Sequence, residues 1–288
     1  MSALVHSARP AMGTLFEALV VGDDEEHLSA VAEAALDEVS RVERLLSRFD
    51  PASEIARINR QAAGGEVLLD VELTELLSFC DSAWRETDGA FDACAGSGHW
   101  SSVAFDAARR SICFRERGLR LDLGALGKGY ALDRAAEIVR AFGVENALLH
   151  GGTSSILALG SGPDGRGWPV GVRDPIQACD SGSEQTELLR LSLADIGYSC
   201  SAVHAPGEDR SDIIDAPSGQ PLVEQSAAVA LAPLALEAEL LSTAALVMGR
   251  ERAGAYTVSR QGCSLGWVSA AGEPRCQWSG APVHESLR

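Results

Sequence analysis

Lysine is almost absent from this chain: of its 24 basic residues, all but Lys128 are arginines. Arginine stands wherever a generic surface cation would do. The retained ammonium therefore points to a position that wants a compact, rotatable point charge and not a planar fork; a bias toward arginine- and alanine-rich composition is the alternative source. Positive charge is scarce overall, with 41 acidic residues and a net charge of −17. That balance argues against a nucleic-acid partner and against an anionic membrane surface, because both need clustered cations. Any polyanionic ligand must be met by a local device, such as a metal ion, a helix N-terminus or a few placed cations.

Other absences narrow the reading further. No apolar run is long enough to span a bilayer. The first ten residues show no basic segment leading into an apolar one, as a secretory signal would. The seven cysteines, at 80, 94, 113, 179, 200, 263 and 276, include no C-x-x-C pair and are odd in number. Free, mostly buried thiols in a reducing cytoplasm are the expectation. The histidines at 6, 27, 99, 150, 204 and 284 include no pair at helical ligand spacing, which argues against zinc. There is no internal repeat and no low-complexity linker, so one composite α/β domain over residues 1–288 is expected.

What is present is an alternation of elements. A short apolar strand is expected over 15–21. The acidic stretch 23–26 then leads into Leu28, Val31, Ala32, Ala35, Val39, Val42 and Leu46, a helical spacing with acids at its N-terminus. Ser53 reads as the cap of a second helix carrying Ile55 and Ile58. A third helix is expected over 71–86, broken at 87–90. From Arg120 the pattern reads strand, glycine-rich turn, helix (129–142), strand (147–150) and the glycine turn Gly151-Gly152, the strongest α/β signal in the chain. Stretches 161–167 and 177–185 read as surface loops. A buried strand over 227–231 and a helix over 234–248, ended by Gly249, follow. The remainder, 255–278, has short strand-like segments.

Four runs could carry chemistry. Asp122, Gly124, Gly127, Lys128 and Gly129 suggest a phosphate loop, but Gly129 occupies the position where a Walker loop has Ser or Thr. A phosphate at a helix N-terminus and a tight turn using glycine at positive φ both fit this run. Thr87, Asp88, Gly89, Ala90, Phe91 and Asp92 place two carboxylates around a glycine turn, and by themselves read as a helix stop. Asp215 opens a turn that Pro217 and Gly219 complete. On the 234–248 helix, Glu239 and Thr243 are four residues apart and share a face. A carboxylate and a hydroxyl so placed are hard oxygen ligands suited to Mg²⁺, and a solvated helix face is the simpler alternative.

Taken in order, Met12-Gly13-Thr14, 47–59, 87–92, 122–133, Gly151-Gly152, 168–175, Ile213-Ile214-Asp215 and 237–249 resemble the ApbE family of FAD:protein FMN transferases, over roughly residues 11–250. The resemblance implies an α/β (α+β) architecture related to the T-fold, with mixed sheets packed by helices. It implies Mg²⁺-dependent transfer of the FMN half of FAD to a threonine or serine of an acceptor protein, with AMP leaving. By motif match the FAD contacts fall on Met12, Phe49, Ala90, Phe91, Asp92, Asp122, Lys128 and Ile214. The metal ligands fall on the Ala125 carbonyl, Glu239 and Thr243, and the residues carrying catalysis are Glu239, Thr243 and Lys128.

The chain departs from the family pattern at several places. Glu239 stands where Asp is usual, Asp212 where a His is, Ala216 where a Pro is, and Phe49 where a Tyr often is. Residues 197–200 read Gly-Tyr-Ser-Cys in place of Ser-Thr-Ser-Gly, and 93–120 is shorter than usual. These departures leave open two alternatives, a member that binds FAD without transfer and an FAD pyrophosphatase giving FMN and AMP.

Overall fold

The structure is a computed structural model that describes residues 2–173, 187–203, 213–269, 276–281 and 285–286. Asp212, the loop 177–185 and the end of the 168–175 run lie outside the described residues.

The chain opens with a hairpin, β1 (Ala3–Ala11) and β2 (Thr14–Gly22), turned by Met12 and Gly13 at φ 49° and 73°. α1 (Glu25–Leu46) follows, its first amides capped by Asp24, and buries Leu28, Val31, Ala32, Ala35, Val39 and Val42 as their spacing predicts. α2 (Glu54–Gln61) starts where Ser53 accepts from the Ala56 amide, and α3 (Val71–Glu86) where Asp70 accepts from that of Leu73. Side-chain acceptors thus satisfy amides that a helix start would otherwise leave bare. Three short strands, β3 (Val67–Leu68), β4 (Val103–Asp106) and β5 (Ser111–Phe114), form a small sheet in the order β3-β5-β4.

Next come α4 (Gly127–Ala141), β6 (Asn146–Gly151), β7 (Ser155–Leu159), β8 (Trp168–Arg173), β9 (Glu187–Leu193) and β10 (Ile196–Val203). They are followed by a two-stranded unit, β11 (Ile214–Asp215) and β12 (Gln220–Pro221), and then by β13 (Ser226–Ala232), α5 (Ala235–Met248), α6 (Arg250–Val258), β14 (Ser264–Ser269), β15 (Gln277–Gly280) and β16 (Glu285–Ser286). The main sheet has eight strands in the order β1-β2-β6-β7-β10-β13-β14-β15, and a three-stranded sheet runs β16-β9-β8.

Helices and strands mix as an α+β fold requires, and the strand pairing is of one sense. Every ladder among the described residues is antiparallel. The connections explain part of this: β6 and β7 join by a tight turn, and β13 reaches β14 through two helices, which return the chain to the end it left. One helix would have made a parallel crossover.

Apolar residues cover both faces of the main sheet. α1 and α4 pack with β2, β6 and β7 around Phe16, Val20, Val39, Leu132 and Leu149. β8 and β9 pack on the opposite face through Trp168, Val170, Leu189, Leu191 and Tyr198. α5 and α6 cover β13 and β14 through Leu241, Ala245, Ala253 and Leu265. β13 is buried at every position, which is why it reads as an unbroken apolar run and not as an alternation.

Three expectations fail locally, each for a visible reason. Residues 120–123 form no strand, because the Asn59 side chain supplies the pairing: its Nδ2 donates to the Leu121 carbonyl at 2.9 Å and its Oδ1 accepts from the Leu121 amide at 2.7 Å. α4 begins at Gly127 and not at 129. Residues 255–258, where strand-like segments were expected, belong to the helix α6; Gly249, at φ 76°, ends α5 and lets α6 begin.

Candidate functional site

The site grows from the crossing of α4 and α5. None of Gly124, Gly127 and Gly129 has a positive φ, so a left-handed turn does not explain the glycine-rich run. At Gly129 the reason is space: a Cβ there would lie 2.5 Å from the Ala235 carbonyl oxygen and 2.8 Å from the Leu236 nitrogen. Gly197 on β10 meets the same turn, its Cβ position lying 2.7 Å from Ala235 Cα. Two glycines therefore let the first turn of α5 seat between α4 and the sheet. A third device secures it. Asp133, on α4, accepts from the amides of Ala235 and Leu236 at 2.9 Å each, capping α5 from outside because its own N-cap residue, Leu234, has no side-chain acceptor.

That seating fixes Glu239 at the junction. The residue is 2% exposed. Oε2 accepts from the Gly129 amide at 2.7 Å, and Oε1 accepts from the Ser155 hydroxyl at 2.5 Å and lies 3.1 Å from Lys128 Nζ. A buried carboxylate is tolerable only when paired and hydrogen-bonded, and here it is both. The solvated-face alternative for Glu239 is thereby excluded. The Gly129 amide is also committed to a protein carboxylate and so cannot cradle a phosphate. Because this amide would have closed the first helical turn on Ala125, the exposed Ala125 carbonyl is left outside the ladder.

One turn further along α5, Ser242 and Thr243 meet the sheet. Ser242 Oγ lies 3.0 Å from Ser199 Oγ and 2.9 Å from Ser201 Oγ, and Ser201 Oγ lies 3.2 Å from Thr243 Oγ1. The sequence Gly-Tyr-Ser-Cys at 197–200 thus places one hydroxyl on this cluster, Ser199, while Tyr198 is buried in the core beneath the opposite face.

Other candidate residues lie near Asp122. Its amide donates to the Ala93 carbonyl at 2.7 Å, joining this segment to the 87–93 turn. Its carboxylate accepts from the Gly124 amide at 2.9 Å and from Arg48 Nη1 at 2.5 Å. The Arg48 guanidinium in turn lies 4.7 Å from the centroid of the Phe49 ring, which is 81% exposed. Met12 sits against Gly127, its amide donating to Glu43 Oε1 at 2.6 Å. Ile214 stands against Gly96, where an added Cβ would be 3.6 Å from Ile214 Cγ1.

In the 87–92 turn, Asp88 and Gly89 take φ 52° and 80°, and the Thr87 hydroxyl accepts from the Phe91 amide at 3.0 Å. Ala90 and Phe91 are buried. The Asp92 carboxylate accepts from the amides of Cys94 (2.7 Å) and Trp100 (2.9 Å), and burial raises its carboxyl above the ordinary range. Asp92 shapes the loop with its side chain, so a ligand here would meet backbone. The structure therefore brings Met12, Asp122 and Lys128 to one end of α4 and joins Glu239 to Lys128 directly. It attaches Phe49 through Arg48 and the 90–92 turn through Asp122.

Sequence reasoning missed Arg48, Asn59, Asp133, Ser155 and Ser201. Arg48, Asn59 and Asp133 lie inside runs that carried the family resemblance, which was a usable signal; Ser155 and Ser201 carried none. Among the described residues no group of three or more His, Cys, Asp or Glu could hold a metal, and no helix is long and apolar enough to cross a membrane. A cleft of about 520 Å³ bounded by Trp84, Trp100, Phe105 and Arg109 lies beyond the 87–92 turn and contains none of the site residues.

Comparison with known proteins places this geometry in context. A profile of the ApbE family matches residues 12–265. The FAD:protein FMN transferase of Klebsiella pneumoniae (strain 342) is 23% identical, the match covering 93% of this chain and 85% of that protein. The protein of the same name from Treponema pallidum (strain Nichols) is 26% identical over 78% of this chain and 74% of its own length. Among solved structures, the flavin transferase ApbE from Vibrio cholerae aligns with a TM-score of 0.80 at 20% identity, covering 97% of this chain and 98% of that one. The ApbE protein from Thermotoga maritima MSB8 aligns with a TM-score of 0.81 at 23% identity, covering 96% and 97%. The structural likeness establishes the fold.

Proposed function

Because the chain belongs to the ApbE family, we propose that it transfers the FMN half of FAD to a serine or threonine hydroxyl of an acceptor protein, with Mg²⁺ bound and AMP released. In this reaction the acceptor oxygen bonds to the phosphorus of the FMN half as the bond from that phosphorus to the bridging oxygen breaks. AMP departs with the bridging oxygen, and the hydroxyl proton is lost.

The observation that carries the reading is the buried Glu239 carboxylate, held 3.1 Å from the chain's one lysine at the mouth of α4. It supplies what so acidic a protein needs to meet a diphosphate: a placed cation beside a placed anionic ligand for a second cation. The donors suit Mg²⁺ in kind, being a carboxylate, the Ala125 carbonyl freed from the helical ladder and the Thr243 hydroxyl, all hard oxygens. Glu239 Oε2 accepts one hydrogen bond and keeps a lone pair. The residues therefore fit the ion, and the longer Glu in place of the usual Asp is accommodated by anchoring at Gly129 and Ser155. Bound there, Mg²⁺ would neutralise diphosphate charge and act as a Lewis acid.

The chain's own residues do the rest. Lys128 provides a point charge for the diphosphate, Phe49 offers an exposed ring for stacking, and Asp122, oriented by Arg48, provides an acceptor for a polar group of FAD. Incubation with FAD, Mg²⁺ and candidate acceptors should yield covalent flavin fluorescence on one acceptor together with stoichiometric AMP. AMP and free FMN without labelled protein would indicate hydrolysis. FAD binding without AMP would indicate a binding protein that has lost transfer.

A further inference from the structure

Glu239 has three donors of two kinds. Gly129 N–H and Ser155 O–H belong to buried framework, whereas Lys128 reaches the carboxylate on a flexible tether that is 26% exposed. The fixed and the movable donor come from adjacent residues, and the Ala125 carbonyl lies three residues before the lysine. Resting on the reading above, we propose that Lys128 is a built-in counter-ion for Glu239, occupying the carboxylate when no divalent cation is present and swinging to the diphosphate when metal and FAD arrive together.

Charge and lone pairs both lead there. Ser155 and Lys128 use both lone pairs of Oε1, so a metal gains bidentate access to the carboxylate only if a donor moves, and the ammonium on its long tether is the donor free to leave while the Gly129 amide is fixed in the backbone of α4. The Lys128–Glu239 pair is neutral, and a divalent cation with a diphosphate is neutral. A divalent cation entering alone at Glu239 would confront the ammonium that already lies 3.1 Å from that carboxylate. Asp133, which faces the same helix turn, is committed to the amides of Ala235 and Leu236. The arrangement therefore disfavours metal without FAD and couples the binding of the two. This is a role for Lys128 in the empty protein, separate from its contact with ligand.

The test uses the full-length protein and Mn²⁺ as the probe, followed by electron paramagnetic resonance without FAD. Lys128→Gln should bind Mn²⁺ about tenfold or more tightly than the unaltered protein, the size of an ordinary coupling free energy. Lys128→Arg should not. Equal or weaker binding by Lys128→Gln would overturn the proposal. A second readout needs no variant. Protein made with ¹³Cε-lysine gives a single lysine resonance, which should shift on saturation with Mg²⁺ plus FAD and more on adding Mg²⁺ to the FAD complex than on adding it to the empty protein. A resonance that stays fixed while calorimetry registers metal binding would also overturn it. Absence of Mn²⁺ binding in every form, with and without FAD, would remove the metal from the proposed function itself and the exchange with it.

Discussion

Asp133 caps a helix to which it does not belong, its carboxylate accepting the Leu236 amide of α5 at 2.9 Å from a position on α4. The two helices that carry Lys128 and Glu239 are thereby joined by a hydrogen bond as well as by packing. Asp133→Ala should lower stability by about 1–2 kcal/mol, as loss of a good N-cap does. Urea denaturation measures this, and an unchanged midpoint would show that the cap contributes nothing.

The same carboxyl sets a pH dependence. Burial, reinforced by Glu239 and Glu237, pushes Asp133 up to about 7 from its ordinary 3.8. A raised carboxyl pKa means that the unfolded chain ionises first as pH rises. The contribution to stability is full below about 3.8, the unfolded value, and is lost as pH climbs through about 7. The unfolding free energy of the unaltered protein should therefore fall more between those limits than that of Asp133→Asn. Parallel slopes in the two proteins would contradict the shift.

Gly129→Ala tests the helix crossing. The new Cβ would be 2.5 Å from the Ala235 carbonyl oxygen, a backbone atom that cannot swing aside. A loss of about 1–3 kcal/mol is expected, typical of overpacking, measured as a fall in Tm. FAD-dependent turnover should fall with it, since Glu239 is seated by the same contact.

Phe49→Ala separates binding from folding. The ring is exposed and touches Arg48, so stability should change by less than about 0.5 kcal/mol. Loss of an aromatic stacking surface worth about 0.5–1.5 kcal/mol should raise the Kd for FAD about 2- to 13-fold. Unaltered affinity by flavin fluorescence would place Phe49 outside the flavin site.

Thr243→Ala should lower Mg²⁺-dependent turnover by about tenfold, the worth of a lost hydrogen-bonding ligand of about 1–2 kcal/mol, while leaving metal-free FAD binding intact. Thr243→Ser should retain most of the activity. If the alanine variant turned over normally at limiting Mg²⁺, Thr243 would not be a ligand.

Local signals explain what was legible in the sequence. Ser53 and Asp70 cap their helices with their own side chains, so α2 and α3 begin where the residues say they do. α6 escaped because only Ala253 and Thr257 are buried along it, too few to set up a helical period. The expected strand at 120 failed because Asn59, 62 positions away, supplies its pairing. The site follows the same rule. Lys128 and Glu239 were each conspicuous, one by rarity and one by helical spacing from Thr243. Their contact, and the Ser155 hydroxyl bond to Glu239 across 84 positions, belong to tertiary structure and leave no periodicity to read.

Gly129, Gly197 and Ala235 have a mechanical consequence. Where backbones meet with no side chain between them, there is no layer of rotamers to absorb a displacement, and the joint behaves as a rivet. α4, β10 and α5 must then shift as one piece, and a ligand arriving at their junction finds a jaw that does not close. Adjustment is left to the four-carbon tether of Lys128.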